Sequence, residues 1–169
     1  MLAAAPRSTI AGCKWNVSTQ PAPSEYHDAL TELPNRRLLD DRLKQALHLA
    51  QRRDTGIALA LVDLAGFTKV DDQTLREAAR RLARGLRKAD TLARWGAAEF
   101  AIVLTDVRAE ADCRPVLERL IAALDMDVAI GISLYPADAG DTQALERNAD
   151  AARSRARQLG RRQYRFYPG

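Results

Sequence analysis

The chain has 169 residues, 47% of them hydrophobic, and a net charge of +4 from 26 bases and 22 acids. That length suits one domain with a proper core and a flanking segment, and the hydrophobic share excludes a disordered tail. No apolar run is long enough to cross a bilayer, and the interspersed acids temper any reading of the basic charge as a nucleic-acid or lipid surface.

Residues 1–24 contain Pro, Ser and Thr without periodicity and are expected to form a linker or arm, with Trp15 as a candidate dock. The first residues lack the charged start and apolar core of a signal peptide. Cys13 and Cys113 make neither a disulfide framework nor a metal-ligand spacing. A reducing cytoplasm is therefore expected, with Cys113 as a helical core residue.

The domain is expected over residues 25–169. His27 to Arg36 reads as a short helical turn followed by a Pro34-Asn35 boundary. Asn35 can cap the next helix, whose Leu38, Leu39, Leu43, Ala46, Leu47 and Ala50 make one apolar stripe. Ile57 to Val62 is a continuous apolar run, expected to be a central strand buried on both faces. It ends at Asp63, where loops at strand ends converge on a crevice.

Asp71 and Asp72 can cap a helix bearing Leu75, Ala78, Ala79, Leu82 and Leu86, whose basic end carries Arg87 and Asp90. A hairpin follows, with Gly96 expected at its turn because glycine tolerates positive φ. Phe100 to Leu104 is its second strand. The next helix, Ala109 to Leu124, is expected to bury Val116, Leu117, Leu120 and Ile121. Asp127 to Leu134 reads as a period-two strand. A last helix starts at Asp141 or Thr142 and stops at Gly160, and Gln163 to Tyr167 is a final short strand. The arginines at 147, 153, 155, 157, 161 and 162 read as a solvated face, and few aromatics accompany them for stacking nucleic-acid bases.

After the leading helix the order is β-α-β-β-α-β-α-β. This predicts an α/β fold with a central mixed β-sheet surrounded by helices, a split-βαβ arrangement with a ferredoxin-like core.

Several motifs, in order and spacing, resemble the GGDEF (diguanylate cyclase) family. His27-Asp28, Leu30-Thr31 and Leu33-Pro34-Asn35-Arg36-Arg37 resemble its opening motif, with Glu32 in place of the usual glycine. Val62-Asp63-Leu64-Ala65-Gly66-Phe67 resembles its metal-binding strand end. Arg94-Trp95-Gly96-Ala97-Ala98-Glu99-Phe100 stands where the family writes its Gly-Gly-Asp/Glu-Glu-Phe signature. Ile130-Gly131-Ile132-Ser133, Ala149-Asp150, Ala156-Arg157 and Gly160-Arg161 resemble the fourth strand and the closing helix.

The resemblance implies a nucleotidyl-cyclase-like fold and a family reaction in which two GTP molecules become cyclic di-GMP. A ribose hydroxyl attacks an α-phosphate, and divalent metal neutralises the phosphate charge. The family's ligands match Asp63, the Leu64 carbonyl and the third signature acid. Here that third position is Ala98, whose methyl group cannot coordinate a cation. Ala97 replaces a glycine where backbone passes close to nucleotide, and the guanine-recognition loop is shortened between Val70 and Leu75.

The expectation is therefore a domain without turnover. Asp63 and Glu99 are vestiges of catalysis, and Arg157 and Arg161 are vestiges of phosphate binding. No cofactor is expected, with Mg²⁺ only if GTP binding persists. The family's inhibitory Arg-x-x-Asp motif, which binds cyclic di-GMP, matches Arg87 and Asp90. Arg119 falls near a further family arginine, and Arg52 or Arg53 would contribute from a neighbouring chain. Expected partners are other signalling domains, cyclic di-GMP and a second copy of the chain, not a membrane or nucleic acid.

Overall fold

In the computed structural model, residues 23–64 and 69–168 are described. The expected arm up to residue 22, with Trp15 and Cys13, lies outside them, as do Gly66 and Phe67.

The chain begins with α1 (Pro23–Tyr26) and a tight loop closed by a bridge between His27 and Pro34. Helix α2 (Arg36–Arg53) then starts at Asn35, whose side chain accepts from the Leu38 N–H. That bond satisfies one of the donors every helix start leaves open. The remaining elements are β1 (Ile57–Asp63), α3 (Asp72–Arg84), β2 (Thr91–Gly96), β3 (Glu99–Thr105), α4 (Glu110–Leu124), β4 (Ala129–Tyr135), α5 (Thr142–Leu159) and β5 (Gln163–Phe166).

The five strands form one sheet in the order β2-β3-β1-β4-β5, antiparallel except for the β4–β5 pair. The sheet is therefore mixed, and β1 lies at its centre. Its run Ile57 to Val62 is at most 1% exposed, as an unbroken apolar strand requires.

Alternation sorts the sheet side chains into two layers. Ala58, Ala60, Val62, Phe100, Ile102 and Ile130 face α3 and α4. Ile57, Leu59, Leu61, Ala101 and Val103 face α2 and α5. Helix α5 lies directly on β4 because small residues meet there. Ala149, Ala152 and Ala156 are fully buried, and a Cβ on Gly131 would strike the α5 backbone at Arg153 and Ala149.

Four local expectations differ from what forms. Helix α3 ends at Arg84, so Arg87 to Asp90 make a turn beyond it and not its last residues. Strand β4 is buried at six consecutive positions because helices cover both its faces, so period two does not describe it. Helix α4 buries Cys113, Leu117, Leu120 and Leu124, while Val116 and Ile121 are half-buried at the edge of that stripe. Gly96 does not take positive φ. Among the described glycines only Gly160 does, at the end of α5, and the β2–β3 hairpin bends where its register shifts between Arg94 and Gly96.

Candidate functional site

The signature hairpin is fastened to the opening loop. Arg94 donates to Asp28 at 2.8 Å, to the Gly96 carbonyl at 2.9 Å and to the Ala97 carbonyl at 2.5 Å. Its backbone N–H donates to the Pro34 carbonyl at 2.9 Å. One guanidinium thus holds the turn's shape and ties it to the loop, through the planar fork that arginine offers. The Asp28 carboxyl is pushed up by burial, but hydrogen bonds from the Thr31 backbone and hydroxyl and from Arg94 outweigh this and hold it below its ordinary value. Arg36 stacks over Trp95 at 3.7 Å and completes the clamp.

Beyond the clamp, Asp63 and Glu99 sit opposite one another in the β1–β3 register. Both acids are on the side of the sheet that α5 covers, since Asp63 follows Leu59 and Leu61 at period two, and Glu99 precedes Ala101. Asp63 is fully buried, and Arg157 forms an ion pair with it. Glu99 is paired with Arg153 at 2.7 Å, and Arg153 also pairs with Asp150. Gly96 leaves room for this arrangement, for a Cβ there would lie 3.3 Å from the Glu99 Cδ and closer still to Oε1. Arg161 pairs with Asp127 at 3.3 Å.

Ala98 is 7% exposed and belongs to the core cluster that includes Leu64 and Leu75. Its carbonyl accepts from the Leu64 N–H at 3.0 Å, joining the end of β1 to the signature turn. Asp71 caps α3 by accepting from the Thr74 N–H at 2.8 Å, and hydrogen bonds from the Thr74 side chain and then its backbone lower the Asp71 pKa. Among the described residues, no group of three or more His, Cys, Asp or Glu could hold a metal ion.

Arg153 is the residue the sequence reading missed. Its place in the arginine series predicts a solvated side chain, yet it is 14% exposed and pinned between two acids. The signal was available: Arg153 lies four residues after buried Ala149, on the stripe that faces the sheet. Arg155, Arg157, Arg161 and Arg162 are exposed, but none is merely solvated: Arg157, Arg161 and Arg162 pair with Asp63, Asp127 and Asp125, and Arg155 donates to the Pro168 carbonyl.

A second cluster surrounds the turn after α3. Asp90 accepts from the backbone N–H groups of Arg87, at 3.0 Å, and of Thr105, at 3.2 Å, and its side chain is 2% exposed. Arg87 reaches back to Asp90 at 3.3 Å and donates to the Thr105 carbonyl at 2.8 Å while remaining largely exposed. Arg119 arrives from α4 and donates to the Gly85 carbonyl at 2.7 Å, at the end of α3 and two residues ahead of Arg87. Arg53 lines a hollow of about 270 Å³ beside Ala89 and Thr105, in the same chain as the turn. A hollow of about 650 Å³ between α4 and β5 includes none of these residues.

The family model described as "Diguanylate cyclase, GGDEF domain" matches residues 25–163. The chain belongs to the GGDEF family. A bifunctional diguanylate cyclase/cyclic di-GMP phosphodiesterase of Pseudomonas aeruginosa, MucR, is 39% identical over 160 residues, covering 83% of this chain and 23% of its own length. The solved GGDEF domain of TpbB from the same organism is 30% identical with a TM-score of 0.75, covering 83% of this chain and 93% of that one. The diguanylate cyclase SiaD, also of P. aeruginosa and solved in complex with its activator SiaC, is 29% identical with a TM-score of 0.75, covering 93% of this chain and 66% of that one.

This GGDEF chain thus spans about a quarter of the length of MucR, and the mixed sheet with its helices is the family's fold. Among the described residues, no helix of this GGDEF domain is long and apolar enough to cross a membrane.

Proposed function

We propose that this GGDEF domain serves cyclic di-GMP signalling in the cytoplasm without turning over GTP, acting by regulation and contact with other signalling domains or a second copy of itself. The observation that carries this reading is Ala98. At the third signature position it offers a methyl group packed in the core, where the family reaction needs an acid to grip metal. Phosphoryl transfer depends on positioning and on neutralising developing charge, so loss of the grip removes most of what the site could contribute. Asp63 and Glu99 are then vestigial, with no catalytic residue, no metal and no cofactor. SiaD, a relative of this fold, is seen with a protein activator, which supports a role through protein contact. Incubation with labelled GTP and Mg²⁺ tests the proposal: the expected result is no cyclic dinucleotide, and measurable conversion would overturn it.

One alternative has an observation in its favour. Arg87 and Arg119 are both exposed, and Arg119 is held at Gly85, two residues ahead of Arg87, so the two guanidiniums can serve a phosphate or a guanine edge. This supports a cyclic di-GMP receptor using Arg87, Asp90 and Arg119. Calorimetry with cyclic di-GMP should then show binding that Arg87→Ala abolishes. The reading as a GTP-binding domain has less support. The two arginines matched to phosphate, Arg157 and Arg161, each already face an acid of the chain, and Mg²⁺ would enter only with the nucleotide.

A further inference from the structure

Asp63 and Glu99 pose an electrostatic problem that does not depend on catalysis. They are directly opposed on antiparallel strands, where Cβ atoms lie about 4.5–5.5 Å apart. Asp63 is fully buried and Glu99 half-buried. Two carboxylates so placed repel one another unless positive charge stands beside them. A divalent cation is one remedy. This chain contains another, because α5 carries arginines at 153 and 157, four residues apart and therefore on one helix face.

Arg153 meets Glu99 at 2.7 Å and Arg157 meets Asp63. The small residues that seat α5 on β4 bring those guanidiniums within reach. Gly131 admits the helix backbone at Arg153 itself.

We infer that Arg153 and Arg157 take the place of a divalent cation at the Asp63–Glu99 pair, so that the domain carries its own counter-charge on α5 and folds without metal. The inference shares a site with the proposed function but stands on the ion pairs, not on the absence of turnover. It also gives the two acids a structural role. With fixed cations as partners they fasten α5 to the ends of β1 and β3, and removing one member of a buried pair exposes the other to its full desolvation cost.

Thermal melts of the intact chain in EDTA, Mg²⁺ and Mn²⁺ test it. The wild-type midpoint should be the same in all three. The double variant R153Q/R157Q should melt lower in EDTA and gain roughly 5–10 °C in Mn²⁺ at about 100-fold over its dissociation constant. Adding D63N and E99Q to that background should abolish the gain. Should the double variant be unfolded in EDTA, R153Q alone carries the same comparison, since both acids it releases are partly exposed. A wild-type midpoint that rises with Mg²⁺ or Mn²⁺ and loses the rise on D63N would overturn the inference. So would arginine variants as indifferent to cations as the wild type. GTP turnover would refute the proposed function and leave these melts to decide this point separately.

Discussion

Replacing Gly131 with alanine should unseat the helix that holds the site together. A Cβ at this position would lie 2.6 Å from the Arg153 Cα, with Arg153 N and Ala149 O nearer still, against the 3.4 Å at which ordinary contact begins. The obstacle is helix backbone, which cannot rotate aside as a side chain can. Helix α5 must therefore retreat by at least about 0.8 Å, the difference between those two distances. Its buried Leu145, Ala149, Ala152 and Ala156 would lose contact with the sheet, and Arg153 would be drawn off Glu99.

Overpacking typically costs about 1–3 kcal/mol, occasionally more, and a backbone obstacle puts this case at or above about 3 kcal/mol. The opposing gain, alanine over glycine within a strand, is only about 0.5–1 kcal/mol. At this chain size each kcal/mol moves the melting midpoint by about 2–4 °C, so the net cost of about 2–2.5 kcal/mol should lower it for Gly131→Ala by roughly 4–10 °C. Far-UV circular dichroism during heating measures this directly. Gly140→Ala is the control, since nothing lies within 4 Å of its new methyl group, and it should stay within about 0.5 kcal/mol of wild type. A Gly131→Ala protein melting within about 2 °C of wild type would refute the close packing of α5 on β4.

Asn35→Ala removes the N-cap of α2 and should cost about 1 kcal/mol, seen as a midpoint roughly 2–4 °C lower. Asp28 should make stability pH-dependent. Its carboxyl is held below the ordinary 3.8 in the folded state, so the unfolded chain takes up the proton first. The stabilisation is present above about pH 4 and is lost as pH falls through the folded value. Urea unfolding of wild type and Asp28→Asn should therefore give a stability gap that narrows below about pH 4, and a constant gap would contradict the Arg94 clamp. Ala98→Asp restores an acid at the third signature position but places it in the core. It should destabilise by at least about 1–3 kcal/mol, read as a lower melting midpoint, and a midpoint unchanged from wild type would contradict the core placement of Ala98.

The order of elements, the central strand ending at Asp63 and the cap at Asn35 could all be read from the sequence. Each depends on local pattern: the succession of helical and strand periodicities, an unbroken apolar run, and a polar residue before a helical stripe. The same reading placed Arg153 among solvated arginines and Arg87 with Asp90 on a helix end. Their roles depend on which strand ends lie beneath them, and spacing along one chain does not give that. Ala98 could be read as the loss of an acid, because a methyl group has the same chemistry anywhere. Only the tertiary structure assigned the remaining acids their cations, by setting α5 across β4 at Gly131 and bringing residues more than fifty positions apart to within 2.7 Å. Electrostatic partnership follows distance in space, and packing alone sets that distance.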